Sequence, residues 1–428
     1  MLDPAEHEFA DDPRTLRVVL DMRIPEGTWG GVQQAAMGLA YGLSLLGAGR
    51  ERYFFLAFKG ESDWLRPLLK GDCELVEIET PSRHWTSLRS RLWSIGLARL
   101  ARLIGRVADR DSTKVVRRLR AQIVHSTHQF AFKTTARRIY QPHDLQHLHF
   151  PQFFSREEVR RRNDLYSAHC RSSDMIAVMS RWGRADLIQQ CDIDKAKVFV
   201  VPWAAPVDLY RDPTSDDLDD LRKKYELPDR YLLYPAQTLP HKNHAGLFQA
   251  LKELQTRGLE DVSLVCTGQT TAHSTAIMEN ARLLGIADKV RFLGWIPSAN
   301  MIGVYRLAHG LVYPSLFEGW GMPVMEAFRL GVPVACSRIP VLQELAGEAA
   351  IYFDPTNFDD MADAIVSLWT DRALRDRLVP SGRMRAGLID WRTIAEVFRA
   401  HYRRLAGMPL GARDTALVEL SVSAKWFK

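Results

Sequence analysis

Short apolar runs alternate with stretches of helical periodicity along most of the chain. The runs have the length and the β-branched or aromatic content of buried strands. In the first half they predict strands at 16–22, 53–58, 73–78, 122–126, 138–141, 175–179 and 198–201. In the second half they predict strands at 231–235, 263–268, 290–294, 310–314, 333–337 and 350–353. Strands that alternate with helices in this way indicate an α/β protein with doubly wound parallel sheets.

The chain is too long for one hydrophobic core, because single cores stop growing at about 250–300 residues. A proline-rich segment at 202–213, followed by an acidic run at 216–220, reads as a connection between domains. We therefore predict one domain at 1–207 and a second at 208–390. Residues 393–405 have the periodicity of one more amphipathic helix.

Composition and cysteine usage describe an ordinary globular protein, with 46% hydrophobic and 25% charged residues. The five cysteines are scattered and contain no C-x-x-C pair, which favours free thiols in a reducing compartment. The first fourteen residues are polar and acidic, unlike a signal peptide. No apolar run approaches the roughly 18 residues of a membrane span. We expect a cytoplasmic protein.

Positive charge is concentrated at 83–120, where ten arginines and one lysine face only two aspartates. Helical spacing puts an apolar face opposite an arginine face. The apolar face consists of Trp93, Leu97, Leu100, Ile104 and Val107, and the arginine face of Arg99, Arg102, Arg106 and Arg110. The part of this segment at 88–120 can lie on an anionic membrane, here the inner membrane. It can equally pack on the first domain with solvated arginines, and binding to nucleic acid is not expected because no motif accompanies it.

Candidate chemistry is clearest in LVYPSLFEGWGMPVMEAFRLGVP, residues 311–333. A buried strand leads into a loop with Glu318, which we expect to be exposed, and then into a helix that carries Glu326. Pro323 suits the first turn of that helix and Gly331 suits its end. The free N–H groups of a helix start favour an anion. Two carboxylates around an anion site suit a nucleotide sugar.

Residues 315–327 match S-x-x-E-G-[FW]-G-x-P-x-x-E-A, and here the chain resembles the retaining glycosyltransferases of family 4. The resemblance implies the GT-B fold, in which two Rossmann-like domains face each other across a cleft and a C-terminal helix, here within 391–428, returns to the first domain. It also implies that Glu318 binds the donor sugar, with Gly319, Trp320 and Gly321 beside it, and that Glu326 binds the ribose. Family members generally need no divalent cation or other cofactor beyond the nucleotide-sugar donor, GDP- or UDP-linked.

Other loops extend the expected donor site. Gly30 and Gly31 follow the first strand, where glycines let the backbone approach a diphosphate. Lys242 follows another strand and can bind the diphosphate, with Asn243 as the cap of the next helix. The resemblance also assigns nucleotide contacts to Gly294 and Ile296. The family's usual arginine is absent, because residues 236–238 read Ala-Gln-Thr, and His241 could share its role only if protonated.

Histidines and a D-x-D sequence are the remaining candidates. By resemblance, His143 is the expected active-site histidine and His128 the alternative. Asp192 and Asp194 spell the metal motif of a different glycosyltransferase architecture, but they lie in a polar turn. We therefore predict no metal site.

The predicted function is transfer of a hexose, with mannose slightly favoured, to a hydroxyl of a glycan acceptor with retention of configuration. The resemblance places it in bacterial polysaccharide biosynthesis, with an acceptor that is expected to be lipid-linked. Glu318, Lys242 and His143 are the predicted catalytic residues. A sugar-nucleotide epimerase or phosphorylase with the same two-domain cleft, or an inactive nucleotide-binding scaffold, remains an alternative.

Overall fold

The computed structural model describes residues 14–25, 30–47, 49–80 and 109–427. Within them lie two fully parallel sheets, of seven and six strands. The first contains β1 Leu16–Asp21, β2 Glu51–Phe58, β3 Cys73–Ile78, β4 Ile123–Ser126, β5 Arg137–Tyr140, β6 Met175–Val178 and β7 Val198–Val200. The second contains β8 Leu232–Pro235, β9 Leu264–Thr267, β10 Val290–Gly294, β11 Gly310–Tyr313, β12 Val334–Ser337 and β13 Ala350–Phe353. Every predicted strand is confirmed, and so is the α/β class.

Helices cover the sheets. They are α1 Gly31–Ser44, α2 Arg110–Arg118, α3 Gln146–His149, α4 Arg156–Ser172, α5 Arg181–Cys191, α6 Ser215–Lys224, α7 His244–Thr256, α8 Ser274–Leu283, α9 Ser298–Leu307, α10 Met322–Leu330, α11 Pro340–Ala346, α12 Phe358–Thr370, α13 Arg372–Gly387, α14 Trp391–Leu405 and α15 Ala412–Ser423. In the described ranges, none of them is long and apolar enough to cross a membrane. The apolar face and three members of the arginine face, all but Arg110, lie outside the described residues.

The strand order reverses once in each sheet. The first sheet runs β3-β2-β1-β4-β5-β6-β7 and the second runs β10-β9-β8-β11-β12-β13. Chain connections therefore diverge between β1 and β4, and again between β8 and β11. In open parallel sheets, ligands bind beyond the carboxyl ends of the strands at such points. The loops after β1, β5, β8 and β11 carry most of the predicted site residues.

The acidic run at 216–220, which follows the proline-rich segment of the predicted connection, belongs to a helix. It forms the start of α6, where Thr214 and Asp217 make reciprocal capping bonds. Acidic side chains in a first turn are favoured because they face the positive end of the helix dipole. The connection between the sheets is accordingly shorter than the sequence suggested.

The two last helices pack against the first sheet and its helices. The indole Nε1 of Trp391 donates to the carbonyl of Ala205, at 3.2 Å, and the Tyr402 hydroxyl lies 2.7 Å from His125 Nδ1. Beyond α15, Trp426 Nε1 donates to the carbonyl of Val200 at 2.8 Å. These buried contacts show that the tail after Gly407, which carried little sequence signal, folds onto this sheet.

Candidate active site

A cavity of about 840 Å³ opens between the carboxyl ends of the two sheets. Its volume falls within the roughly 300–1,000 Å³ typical of small-molecule sites. The predicted residues that line it are Gly30, Gly31, His143, Lys242, Ile296, Glu318, Gly319, Trp320, Gly321 and Glu326. The loops and helix starts of both sheets thus bring together residues that are far apart in sequence.

Glu318 and Lys242 form an ion pair inside the cavity. Lys242 Nζ lies 2.6 Å from Glu318 Oε1, and the hydroxyl of Tyr313 donates to the same oxygen at 2.7 Å. Burial alone would raise the pKa of Glu318. The positive charge of Lys242 and the hydrogen bonds to the carboxylate act together in the opposite direction and hold that pKa below its ordinary value. Glu318 is therefore an anion at neutral pH.

The expectation that Glu318 is an exposed loop residue is wrong. Only 10% of its side chain is accessible, and Lys242 is only 16% exposed. The loop after β11 folds into the cavity because its carboxylate finds a cation and a hydroxyl there. Removing either partner would leave a charge with little access to water, which is costly.

Glu326 lies in the second turn of α10 and has a different environment. The hydroxyl of Tyr305, on α9, donates to its Oε2 at 2.7 Å. Burial raises the pKa of Glu326 to about 7, although the bond from Tyr305 opposes the rise. The two carboxylates of the motif thus differ: one is held ionised by a cation, and the other titrates near neutral pH.

The loop between the two carboxylates also joins the two halves of the molecule. A Cβ atom on Gly319 would come within 2.9 Å of the carbonyl oxygen of His143, so only glycine permits this approach. Trp320 donates from its indole Nε1 to the carbonyl of Trp203 at 3.0 Å. Gly321 has φ of 116°, a conformation that favours glycine.

The glycine pair after β1 lies on the opposite wall. Gly30 has φ of 44° and ψ of −117°, and Gly31 begins α1. One turn further, Gln34 Nε2 donates to Ser298 Oγ on α9 at 2.9 Å, which bridges the two walls. Residues 26–29, which precede the pair, lie outside the described residues.

His143 lines the cavity, while His128 does not do so among the described residues. His143 Nε2 lies 2.8 Å from the carbonyl oxygen of Thr127, and an oxygen of this kind can only accept, so Nε2 carries the proton. Nδ1 is buried without a protein partner and is left as an acceptor. Burial lowers the pKa of His143 to about 4, so the ring is neutral at pH 7.

Two predicted ligand residues, Asn243 and Gly294, are absent from the described part of the cavity wall. Asn243 has φ of 59° and makes no side-chain capping bond; its Nδ2 donates to the carbonyls of Pro314 and Pro355, at 3.2 and 2.8 Å. Gly294 ends β10 and accepts a bond from the N–H of Gly268 at 2.8 Å. Both positions help to hold loops together here, and their assignment as ligand residues stays a prediction.

The D-x-D sequence lies in a turn, as predicted. Asp192 adopts a left-handed conformation after α5, and Asp194 accepts a bond from the N–H of Ala196 at 2.9 Å. Across the ranges that the structure describes, no group of three or more histidine, cysteine, aspartate or glutamate side chains is arranged to hold a metal ion.

From the sequence, Arg162 was not identified as a cation of the cavity, whereas His241 was considered as a second cation. Arg162, on α4, lines the cavity but belongs to a helix with many arginines, and no spacing distinguished it. Gln237 occupies the wall near the place where the family usually has arginine. Burial lowers the pKa of His241 to about 3, so this residue is uncharged at pH 7 and cannot replace the missing arginine.

Comparison with known proteins finds a family match in the second half of the chain. Residues 217–385, which include Lys242, Glu318 and Glu326, match the family described as glycosyl transferases group 1. The similarity to this family thus covers most of the second half of the chain. The O-antigen chain mannosyltransferase B of Escherichia coli is 25% identical over 249 residues, 58% of this chain and 65% of that protein. The match therefore spans just under two thirds of the relative's length.

Solved structures support the fold of the whole chain. Sucrose-phosphate synthase from Thermosynechococcus elongatus superimposes with a TM-score of 0.69 at 18% identity, covering 92% of this chain and 99% of that one. HepE from Anabaena, in complex with UDP and glucose, gives 0.64 at 15% identity over 90% and 99%. At these identities the likeness shows the fold alone, and it confirms the GT-B architecture.

Proposed function

We propose that this protein is a retaining glycosyltransferase that transfers a hexose from a nucleotide sugar to a hydroxyl of a glycan. The observation that carries the proposal is the convergence of Glu318, Lys242, Glu326 and His143 on one cavity between the sheets. An inactive scaffold would have no need to keep an anion, a cation and a neutral histidine together at a cleft between two walls.

The donor would bind mainly along the second-sheet wall. Lys242 supplies a positive charge for the diphosphate, and Glu318 accepts hydrogen bonds from hydroxyls of the sugar. Glu326 accepts bonds from the ribose. Lys242 and Glu318 are already paired, so an entering diphosphate would share the lysine and free carboxylate oxygens for the sugar.

His143 suits a hydroxyl as its partner. Its Nε2–H is used by the carbonyl of Thr127, which leaves Nδ1 as a buried acceptor on the cavity wall. An acceptor of this kind binds a hydroxyl group that donates to it. We assign it to a hydroxyl of the donor sugar or of the attacking glycan, where it positions the group without taking a net charge.

In the proposed reaction the bond between the sugar's anomeric carbon and the diphosphate oxygen breaks. The acceptor hydroxyl attacks the same face, and its proton passes to the departing diphosphate, which conserves the anomeric configuration. Lys242 stabilises the developing negative charge. No divalent cation is required in this scheme.

The relatives supply the remaining details of the proposal. The curated relative is named an O-antigen chain mannosyltransferase, which favours mannose and a bacterial polysaccharide. The HepE structure contains UDP, so a GDP- or UDP-linked donor is proposed without choosing between them. A lipid-linked glycan at the cytoplasmic face of the inner membrane fits this role, with the arginine face as the proposed membrane contact.

A donor panel tests the proposal. GDP-mannose, UDP-glucose and related nucleotide sugars are assayed for thermal stabilisation and slow hydrolysis, and the anomeric configuration of any product is read by NMR. Glu318→Gln is expected to lower kcat/KM by about 100-fold or more. Glu348→Gln, which changes an exposed glutamate on the same half, is the matched control and should behave as wild type.

Other outcomes identify the alternatives. Conversion of the donor to an epimer without an acceptor would indicate an epimerase, and phosphate-dependent release of a sugar phosphate would indicate a phosphorylase. Nucleotide binding without hydrolysis or transfer of any donor would indicate a scaffold. Wild-type turnover by Glu318→Gln would contradict the assignment of this residue.

A further inference from the structure

Arg162 is fixed on the first-sheet wall of the cavity by two contacts. Its guanidinium carbon lies 4.6 Å from the centre of the Phe154 ring, and its Nε donates to Glu158 Oε1 at 2.7 Å. The side chain is still 31% exposed. The guanidinium is therefore oriented by its neighbours and remains accessible from the cavity.

The charge around Arg162 is not balanced. Glu158 also binds Arg161, through bonds of 2.7 and 2.6 Å that occupy both of its carboxylate oxygens. Two guanidinium groups thus share one carboxylate, which leaves a net positive charge. Within the described ranges, the two terminal amino groups of Arg162 have no hydrogen-bond partner.

The other carboxylates of the described cavity wall form no ion pair with Arg162. The charge of Lys242 is matched by Glu318 at 2.6 Å. Asp144 also lines the cavity, but it forms no ion pair with Arg162 in the described structure. Burial raises the pKa of Asp144, and the positive charge of Arg162 opposes that rise. Arg162 is accordingly the cation of the described wall that is available to a ligand.

We propose that Arg162 binds an anionic group, a phosphate or a carboxylate, on the acceptor sugar. This inference rests on the proposed transfer reaction and adds a substrate class to it. Arg162 belongs to α4 in the first half of the molecule, whereas most residues proposed for the donor belong to the second half. The acceptor is therefore the molecule that we assign to it. A guanidinium fork matches both oxyanions in geometry.

Aromatic side chains beside Arg162 support a sugar at this position. Phe153 and Phe154 line the same wall, and Trp64 lines it from the loop after β2. Apolar ring faces next to a few placed polar groups are typical of small-molecule sites. A neutral glycan could use these rings alone; the guanidinium adds a requirement for charge.

Binding of matched sugars tests the inference without a known acceptor. Mannose 6-phosphate is compared with mannose, and glucuronate with glucose, by calorimetry in the presence of saturating UDP or GDP. The wild type is expected to bind at least one charged sugar tenfold or more tightly than its neutral twin. Arg162→Gln should remove that preference, a loss of about 10- to 100-fold for a charged hydrogen bond.

Arg161→Gln is the matched control, because Arg161 shares Glu158 but does not line the described cavity. It should keep the wild-type preference. The two arms of the panel separate a phosphate from a carboxylate. In assays of transfer, Arg162→Gln should raise the KM for the charged acceptor at least tenfold more than the KM for the donor.

Three results would overturn the inference. The wild type could bind no charged sugar better than its neutral twin. Arg161→Gln could lose as much of the preference for the charged sugar as Arg162→Gln does. Arg162→Gln could weaken the binding of UDP or GDP as strongly as the binding of the charged sugar. That result would assign the arginine to the donor diphosphate. Donor hydrolysis by the wild type is measured separately, so failure here is distinguishable from failure of the proposed transferase function.

Discussion

Glu326 makes the protein's stability depend on pH in a way that one substitution can remove. Its ordinary pKa of 4.5 is raised to about 7 in the folded protein. Between these values the unfolded chain has lost the proton and the folded chain still holds it. Because the folded state binds more protons, its stability falls as pH rises through this window. Above about pH 7, ionisation of Glu326 lowers the free energy of unfolding by about 3 kcal/mol in all.

Glu326→Gln should therefore stabilise the protein at high pH. The amide keeps the shape of the side chain, and its oxygen can still accept from Tyr305, but it has no proton to lose. We expect wild type and variant to agree within about 1 kcal/mol at pH 5, and the variant to gain up to about 3 kcal/mol at pH 8. Urea unfolding followed by tryptophan fluorescence measures the free energy of unfolding of both proteins at each pH. Taking the difference between them removes the contributions of the other titrating groups.

A variant that is less stable than wild type at pH 8, or a difference that is the same at both pH values, would refute this reasoning. The same pair tests the proposed ribose contact. If the ionised carboxylate accepts the ribose hydroxyls, UDP or GDP should bind wild type more weakly as pH falls below 7, by up to about tenfold per pH unit. Glu326→Gln should bind less tightly at pH 8 and lack this component of the pH dependence.

Three further predictions concern metal, membrane and packing. Transfer activity should survive EDTA; complete loss that Mg²⁺ or Mn²⁺ restores would contradict this and implicate the D-x-D turn. Replacing the four residues of the arginine face with Gln should abolish co-sedimentation with anionic liposomes at low salt, since each basic residue contributes roughly 1 kcal/mol there; a wild type that does not co-sediment would make this face mere solvated surface. Gly38→Ala should cost about 1–3 kcal/mol in thermal or urea unfolding, because a Cβ there would overlap the ring of Trp391. Gly387→Ala, which meets nothing within 4 Å, is the control, and equal stability of the two variants would contradict the packing argument.

The strands could be predicted because their signal is local. A buried parallel strand is a short apolar run, and every run predicted here forms one. The strand–loop–helix motif was predictable for the same reason: Glu318 follows a strand, Pro323 enters a helix and Gly331 ends it in a left-handed conformation. These features depend on neighbours in sequence.

The errors concern contacts between distant segments. Glu318 was predicted to be exposed because its loop is polar. In the structure Lys242, which is 76 residues earlier in sequence, binds its carboxylate inside the cavity. Asn243 was predicted to cap a helix with its side chain. In the structure that side chain donates hydrogen bonds to the carbonyl oxygens of Pro314 and Pro355 instead. No local pattern encodes partners that only the fold brings together.

Arg162 illustrates the same limit for charge. In sequence it is one of several arginines on α4, and a solvated helix face is the ordinary reading of such a run. Its difference from Arg161 arises only when α4 packs at the cavity and Glu158 is shared unequally. The positive charge that Arg162 presents to the cavity depends on contacts made only in the folded protein, so the sequence alone does not reveal it.

The loop at 318–321 links the proposed chemistry to the way the two halves meet. Glu318 holds Lys242 within the second half, while Gly319 touches the backbone of His143 and Trp320 binds the carbonyl of Trp203. A donor that draws Lys242 away from Glu318 would therefore act on the same loop that contacts the first half. Since the acceptor is proposed to lie on that first half, donor binding and the geometry of the acceptor site are mechanically connected through four consecutive residues.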